Sequence, residues 1–333
     1  MFTPVETSLG AVLLHQATSV LLFQNGCVLG ASGFLRRILS APTKGMASFF
    51  AGMAISLLPL KMFLPELLRA YPPVPTTIQA ALVTVGVGAL VGWGTKASNG
   101  CTSGHMLCGL SRLSGRSIVA VSTFFPVAMI THHLAHPSLL TDVCEAGVPC
   151  YTPTYPSTAT IISLVVLTAG TILAAQFLPP LIDSFSETDC KFNPDAPARL
   201  ATQFFSGLEF ALGLHITGMA SPGKVLSFLS FPNLKAWDPS MGLVIIFGIL
   251  PNLIEIQAKG FTQPPCFNEK FELPKKTLKD TDWKFVLGAA IFGLGWGLTG
   301  TCPGPAVLRS FAQPTWGLLW MSGFWLGGQV CAD

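Results

Sequence analysis

Apolar residues run along this chain in long, unalternating blocks, separated by stretches rich in glycine, proline and charge. Nine blocks are long enough to be spanning helices: 8–24, 46–68, 78–95, 117–135, 159–182, 200–217, 240–257, 285–300 and 315–332. A membrane helix needs about 20 mostly apolar residues. Transmembrane strands would be shorter and would alternate, and an open sheet edge has no partner in lipid. The pattern therefore predicts an all-α membrane protein of about nine transmembrane helices. Charges inside the blocks are few: Lys61 and Glu66 in the second, Glu209 in the sixth and Glu255 late in the seventh.

Four of the blocks end in similar turns. The first closes on "FQNGCVLGASGFLRRIL" and the third on "NGCTSGHMLCG"; the sixth closes on "HITGMASPGKVLSFL" and the eighth on "TGTCPG". Gly26 aligns with Gly218, Gly100 with Gly300, and Gly104 with Gly304. Segments 1–4 thus pair with segments 6–9, and segment 5 is a linker. Partners lie five spans apart, an odd number, so they cross the membrane in opposite senses as an inverted repeat, an architecture common in secondary transporters. The expected divisions are a first repeat over 1–150, a linker helix and loop over 151–198, and a second repeat over 199–333. After each turn come about ten residues able to form a short helix, too short to span. These read as four re-entrant half-helix loops whose breaks meet near the midplane, giving an hourglass-like path. Irregular backbone at that depth is tolerated only where it lines a cavity or is buried in protein.

Composition supports the bilayer as solvent. Half of the residues are hydrophobic, only 11% are charged, and mean hydropathy is +0.57; soluble domains average about 25% charged. No basic region precedes the first block, so no cleavable signal is expected. Of 19 Lys and Arg, fourteen fall in the 1–2, 3–4, 5–6 and 7–8 connections and their flanks, beginning with Arg36 and Arg37, and five on the opposite side. The positive-inside rule then places the N-terminus outside and the C-terminus in the cytosol. The net charge of +3 reads as topology, and no nucleic-acid partner is expected.

Candidate chemistry lies in the turns. A helix that begins at a glycine-rich turn offers unpaired N–H groups and the positive end of its dipole, so converging half-helices make an anion site without Arg or Lys. Cys27, Cys101 and Cys302 add thiols just past the ends of apolar runs. A thiolate would repel an anion, and burial favours the neutral thiol. Three neutral, polarizable S–H donors along a path suggest a soft, sulfur-bearing anion.

The segments "NGCTSGHMLCG", "GLHITGMASPGKVLSFL" and "GWGLTGTCPGPA" resemble the signatures of the YeeE/YedE sulfur-transport family, the thiosulfate uptake transporters, and the likeness covers both halves. The resemblance implies passage of thiosulfate across the plasma membrane, with Cys27, Cys101 and Cys302 handing the ion along by S–H···S hydrogen bonds. Met219 stands at the corresponding place in the third loop, so no fourth thiol is expected. The implied transport site comprises Cys27, Cys101 and Cys302 with Gly26, Gly100, Gly104, His105, Gly300 and Gly304. Expected partners are the thiosulfate ion, the lipid bilayer and a cytosolic sulfur-acceptor protein. No enzymatic activity, metal or cofactor is expected.

Other readings stay open at this level. Cys101, His105 and Cys108 at i, i+4 and i+7 would share one α-helical face and suit zinc or copper; His105 is equally a hydrogen-bonded cap on its turn. His15 and His215 suit bonds across helices, and His132, His133 and His136 an interfacial position. A thiol–disulfide oxidoreductase would need a Cys-x-x-Cys pair, and none occurs. Sulfite, sulfide or a selenium oxyanion would use similar pore chemistry. No phosphate-binding G-x-x-x-x-G-K-[ST] loop is present, which speaks against ATP as the energy source. Glu209 is the one carboxylate near mid-span. Cys144 and Cys150 could be bridged or free, while Cys190 and Cys266 fall in connections where thiols stay reduced.

Overall fold

Each of the nine apolar blocks is helical in the structure, a computed structural model that describes all residues except 69, 142–143, 145–146, 186–191 and 332–333. Cys190, Lys191 and Arg69 lie outside the described residues. The first block is α1 (Pro4–Asn25), followed by the short α2 (Ala31–Ser40). The second divides into α3 (Lys44–Ile55) and α4 (Leu57–Phe63), because Pro59 has no N–H for the Ile55 carbonyl. Next come α5 (Ile78–Ala97), a π-helical segment (Ser103–Leu110), α6 (Gly115–Ala135) and the brief α7 (Pro137–Thr141). The long α8 (Thr158–Ser184), α9 (Pro197–Ile216) and the short α10 (Pro222–Leu229) follow. The seventh block opens with a 3-10 turn (Pro239–Gly242), widens into a π-helical stretch (Ile245–Ile249) and ends as α11 (Leu250–Lys259); Pro251 again removes a donor from the turn before it. The chain finishes with α12 (Trp283–Thr299), the short α13 (Pro303–Ala312) and α14 (Pro314–Val330). Among the described residues there is no strand, only two isolated bridges, Phe2–Pro153 and Cys27–Glu272.

Among the described residues, seven helical segments are long and apolar enough to cross a membrane: Pro4–Asn25, Lys44–Phe63, Ile78–Ala97, Gly115–Ala135, Thr158–Ser184, Pro239–Lys259 and Trp283–Ala312. The protein is an all-helical, multi-pass membrane protein. Two predicted spans fall outside that set for physical reasons. α14 is 17 residues long, at the short end of the spanning range. α9 carries Arg199 and Glu209 and is buried without interruption from Ser206 to Ile216. It packs against α1, α3 and α8, and a helix sheathed in protein need not be apolar toward lipid. By contrast α8 touches chiefly α9 and α1 and exposes Ile162, Val166, Leu173 and Phe177.

The connections sort into two groups that touch within each group. Lys44 pairs with Asp195 at 3.0 Å, Glu272 N–H donates to Gly26 O at 2.7 Å, and Arg116 Nη1 donates to Asp280 O at 2.5 Å. In the other group Thr154 N–H donates to Phe2 O at 2.8 Å, Cys150 N–H to Lys235 O at 2.8 Å, and Arg309 Nη2 to Pro72 O at 3.0 Å. α1 therefore runs from the second group to the first, and α9 the other way. Cys144 and Cys150 form a disulfide in the second group.

Helix pairings recur across the chain. α5 packs on α14 as α12 packs on α6; α3 packs on α9 as the Ile245–Ile249 stretch and α11 pack on α1. α13 meets α14 as the Ser103–Leu110 segment meets α6, and α1 pairs with α9 and α5 with α12. Glycines permit the closest of these approaches. A Cβ on Gly92 would collide with Phe324 O, one on Gly327 with Ala89 O, and one on Gly207 with Phe49 O. In lipid, where burial of apolar area drives little association, such backbone proximity is a main source of packing energy.

Gly92→Leu is therefore expected to destabilise the bundle by at least about 1–3 kcal/mol through overpacking. Gly86→Leu, where the space around the Cβ is open, should stay within about 0.5 kcal/mol of the parent. Thermal or SDS unfolding in detergent measures both, and equal effects would contradict the packing described.

Candidate functional site

Each of the four breaks contains one left-handed residue. α1 ends at Asn25, and Gly26 turns the chain with φ 72°. Its N–H reaches Leu22 O at 2.9 Å and that of Cys27 reaches Leu21 O at 3.2 Å, closing the helix as glycine caps do. Gly218 (φ 79°) and Gly300 (φ 65°) do the same after α9 and α12. In the second break the left-handed residue is Asn99 (φ 57°) rather than Gly100, asparagine being a residue that tolerates this region. Gly100 serves a different purpose: a Cβ there would lie 2.6 Å from His105 Nε2. At Gly300 a Cβ would approach Pro222 O to 2.5 Å, so this turn also fits tightly on α10.

Two half-helices start at cysteines. His105 N–H bonds to Cys101 O and Ala306 N–H to Cys302 O, both at 2.9 Å, so each cysteine carbonyl accepts the first helical bond. The N–H groups of Thr102, Ser103 and Gly104 then have no acceptor within their own helix. In α13 both Pro303 and Pro305 lack an N–H, leaving Gly304 as the donor of the first turn. The two half-helices are therefore unequal in the N–H groups their first turns offer, a difference that the turn alignment does not convey.

Cys101 and Cys302 are brought together. Both are buried, and both line one cavity of about 300 Å³. Thr102 Oγ1 donates to Cys302 Sγ at 3.3 Å across the two halves. Cys101 Sγ and Ser103 Oγ are 3.3 Å apart, and Ser103 Oγ accepts Ala31 N–H at 3.0 Å, fixing the start of α2 to the second half-helix. The cavity wall is otherwise apolar and soft, with Met106, Met219, Phe125, Phe210 and Trp296, and it includes Gly300 and Gly304. Gly104 has open space around it and is not among the lining residues.

Cys27 is set apart from this cavity. It is partly buried and meets the connection between α11 and α12. There Cys266 N–H donates to Phe23 O at 3.0 Å and Phe267 N–H to Gln24 O at 2.8 Å, and Cys27 Sγ lies 3.9 Å from Glu272 Oε2. Further along the same connection, Asp280 accepts Thr277 N–H and O–H, bonds that hold its carboxyl below the usual carboxylate range.

His105 lies behind its turn. Nε2 is 3.0 Å from Ser98 O and Nδ1 3.0 Å from Ser117 Oγ. A carbonyl accepts only, so Nε2 carries the proton and Nδ1 accepts from Ser117. Cys108 donates to Leu29 O at 3.3 Å. With the helix wound as a π-helix, Cys101, His105 and Cys108 spend their polar atoms on four different partners and do not converge on a common point. His15 and His132 bond across helices, to Asn252 Oδ1 at 2.7 Å and Ser230 Oγ at 2.9 Å. Glu209 is fully buried, and neither of its oxygens has a hydrogen-bond partner among the described residues.

Three participants were not singled out from sequence. Thr102 and Ser103 follow Cys101 directly, and two hydroxyls beside a motif cysteine were a readable signal. Glu272 was not readable: it lies 245 residues from Cys27, in a connection with no motif.

A multi-pass helical bundle with two thiols on one soft cavity defines the class. A family model described as a family of unknown function (DUF6691) matches residues 198–330. The chain is 38% identical over 109 residues to a probable transporter of Xylella fastidiosa (strain 9a5c), covering 33% of this chain and 73% of the relative. It is 38% identical over 125 residues to a second probable transporter of that strain, covering 37% of this chain and 88% of the relative. The chain belongs to the family of these proteins.

Thiol reactivity in detergent should follow this geometry. Cys266, which is exposed, is expected to react with maleimide first and Cys27 next, with Cys101, Cys108 and Cys302 protected. Cys144 and Cys150 should react only after reduction. Peptide-level mass spectrometry over a time course measures this, and Cys302 reacting as fast as Cys266 would contradict the buried cavity.

Proposed function

We propose that this protein is a plasma-membrane transporter that takes up thiosulfate, relayed by neutral cysteine thiols and half-helix N-termini. The observation that carries the proposal is the shared cavity of Cys101 and Cys302, at the starts of two half-helices and linked through Thr102. The names of the relatives, probable transporters, agree with it. A wall of methionine, aromatic and thiol groups suits a polarizable anion, because it offers little to replace the water of a hard, strongly hydrated one. Thiosulfate carries a terminal sulfur able to accept S–H and N–H donors; sulfate carries only oxygens.

The proposed architecture is an inverted repeat of nine spans, with 1–150 and 199–333 as halves and 151–198 as the linker. The recurring helix pairings and the opposite senses of α1 and α9 support it. The bias of Lys and Arg toward the connections grouped with Gly26 and Lys44 supports a cytosolic position for that group, hence an external N-terminus and a cytosolic C-terminus. Cys302 then faces the outside, Cys101 follows, and Cys27 stands at the cytosolic end, where a sulfur-acceptor protein would receive the ion.

Proteoliposomes should accumulate labelled thiosulfate, and equimolar sulfate should not block uptake; block by sulfate would refute the soft-anion reading. Cys101→Ser and Cys302→Ser keep a donor, but the serine hydroxyl prefers a local carbonyl. Losing a hydrogen bond to a charged group, about 1.5–3 kcal/mol, lowers the initial rate about ten- to a hundredfold. Cys27→Ser should also be impaired, and Cys266→Ser should match the parent. A variant lacking Cys27, Cys101 and Cys302 that still transports at the parent rate would reduce the thiols to packing.

A further inference from the structure

The connection between α11 and α12 lies across Cys27 as a strap. It leaves α11 through Gly260, whose φ of 62° redirects the chain, and returns under Arg116, which holds Asp280 O. Between these points it is bonded to the end of α1 by Cys266, Phe267 and Glu272 N–H and by Asn268 Nδ2 on Asn25 O at 3.2 Å. Phe267 is buried, and Phe271 packs edge-on against Phe23 at 6.2 Å. Gly26 allows the fit, since a Cβ would lie 2.8 Å from Lys270 O. Asn268 Nδ2 also donates to Glu272 Oε1 at 3.2 Å, leaving Oε2 toward the Cys27 thiol.

The charges around that thiol have a pattern. Arg37 and Arg199 are the cations near enough to act on it, and Glu272 is the anion. Without the carboxylate, Cys27 would be a thiol donor with two arginines in electrostatic range and no anion, a seat for a small anion. The protein fills that seat with a carboxylate of its own.

Resting on the transport reading above, we propose that residues 261–282 form a cytosolic gate in which Glu272 stands in for the anion at Cys27. A transported anion displaces the carboxylate by competing for the same donors, and the strap lifts from the end of α1 to release it.

The test uses the full chain in inside-out vesicles and proteoliposomes, with Cys266→Ser to remove the neighbouring exposed thiol. Labelling of Cys27 by an impermeant maleimide is followed by mass spectrometry, and uptake by labelled thiosulfate. Glu272→Gln keeps the shape and removes the charge; Asn268→Ala removes the bonds to Asn25 and Glu272. Both are expected to speed Cys27 labelling at least about fivefold, the low end of ordinary coupling between sites, and to raise the initial uptake rate. Thiosulfate should speed labelling in the parent by lifting the strap. Unchanged labelling in both variants, with monodisperse protein, overturns the gate. So does faster labelling with slower uptake, which would make Glu272 part of the conducting path. If the parent moves no thiosulfate, the transport reading fails, while the labelling comparison still decides whether Glu272 closes Cys27.

Discussion

An amide in hydrocarbon that lacks a partner costs several kcal/mol, and this protein interrupts four helices. Every feature of the central region follows from how those interruptions are satisfied. Late carbonyls of α1, α5, α9 and α12 are closed by backbone N–H groups at or just past a left-handed residue. The first donors of the half-helices have no acceptor within their own helix. Cys101, Thr102, Ser103, Cys302 and Gly304, at the starts of two of these helices, line the cavity, and on the transport reading proposed above this is where the anion is held.

The four breaks solve the same problem with different residues. The second break uses asparagine where the others use glycine, then winds into a π-helix whose buried histidine props the turn. The fourth uses glycine and begins its half-helix with Pro303 and Pro305, which preset the helical φ but give up donors. The third presents Met219 in place of a thiol. Helix pairings recur while the chemistry at the breaks differs. The contact from Thr102 to Cys302 joins the second break to the fourth within the cavity.

Packing explains why this asymmetry is tolerated. Glycine-mediated approaches in α5–α14, α6–α12 and α3–α9 carry the bundle, leaving α9 enclosed and free to hold Glu209 and Arg199. α8 sits outside, in contact with α9 and α1, as a linker can. The strap over Cys27 is joined mostly by backbone hydrogen bonds and one aromatic edge, a weaker attachment than helix packing and one suited to motion.

The sequence by itself determined the solvent, the helices and the breaks. Blocks of about 20 apolar residues can satisfy their backbone in lipid only as helix, and glycine next to cysteine at a block end signals a turn whatever surrounds it. Its local rules also located Cys101 and Cys302. Only the tertiary structure decided which of these residues meet. Gly100 makes room for His105 instead of turning the chain, because asparagine one residue earlier takes the left-handed conformation. The spacing of Cys101, His105 and Cys108 suggested one face, but the wider π-helical turn and the bonds to Ser98, Ser117 and Leu29 separate them. Cys27 stands apart from the other two thiols and faces Glu272. Such pairings join residues up to 245 positions apart, and periodicity, which reports only the face of a single helix, holds no information about them.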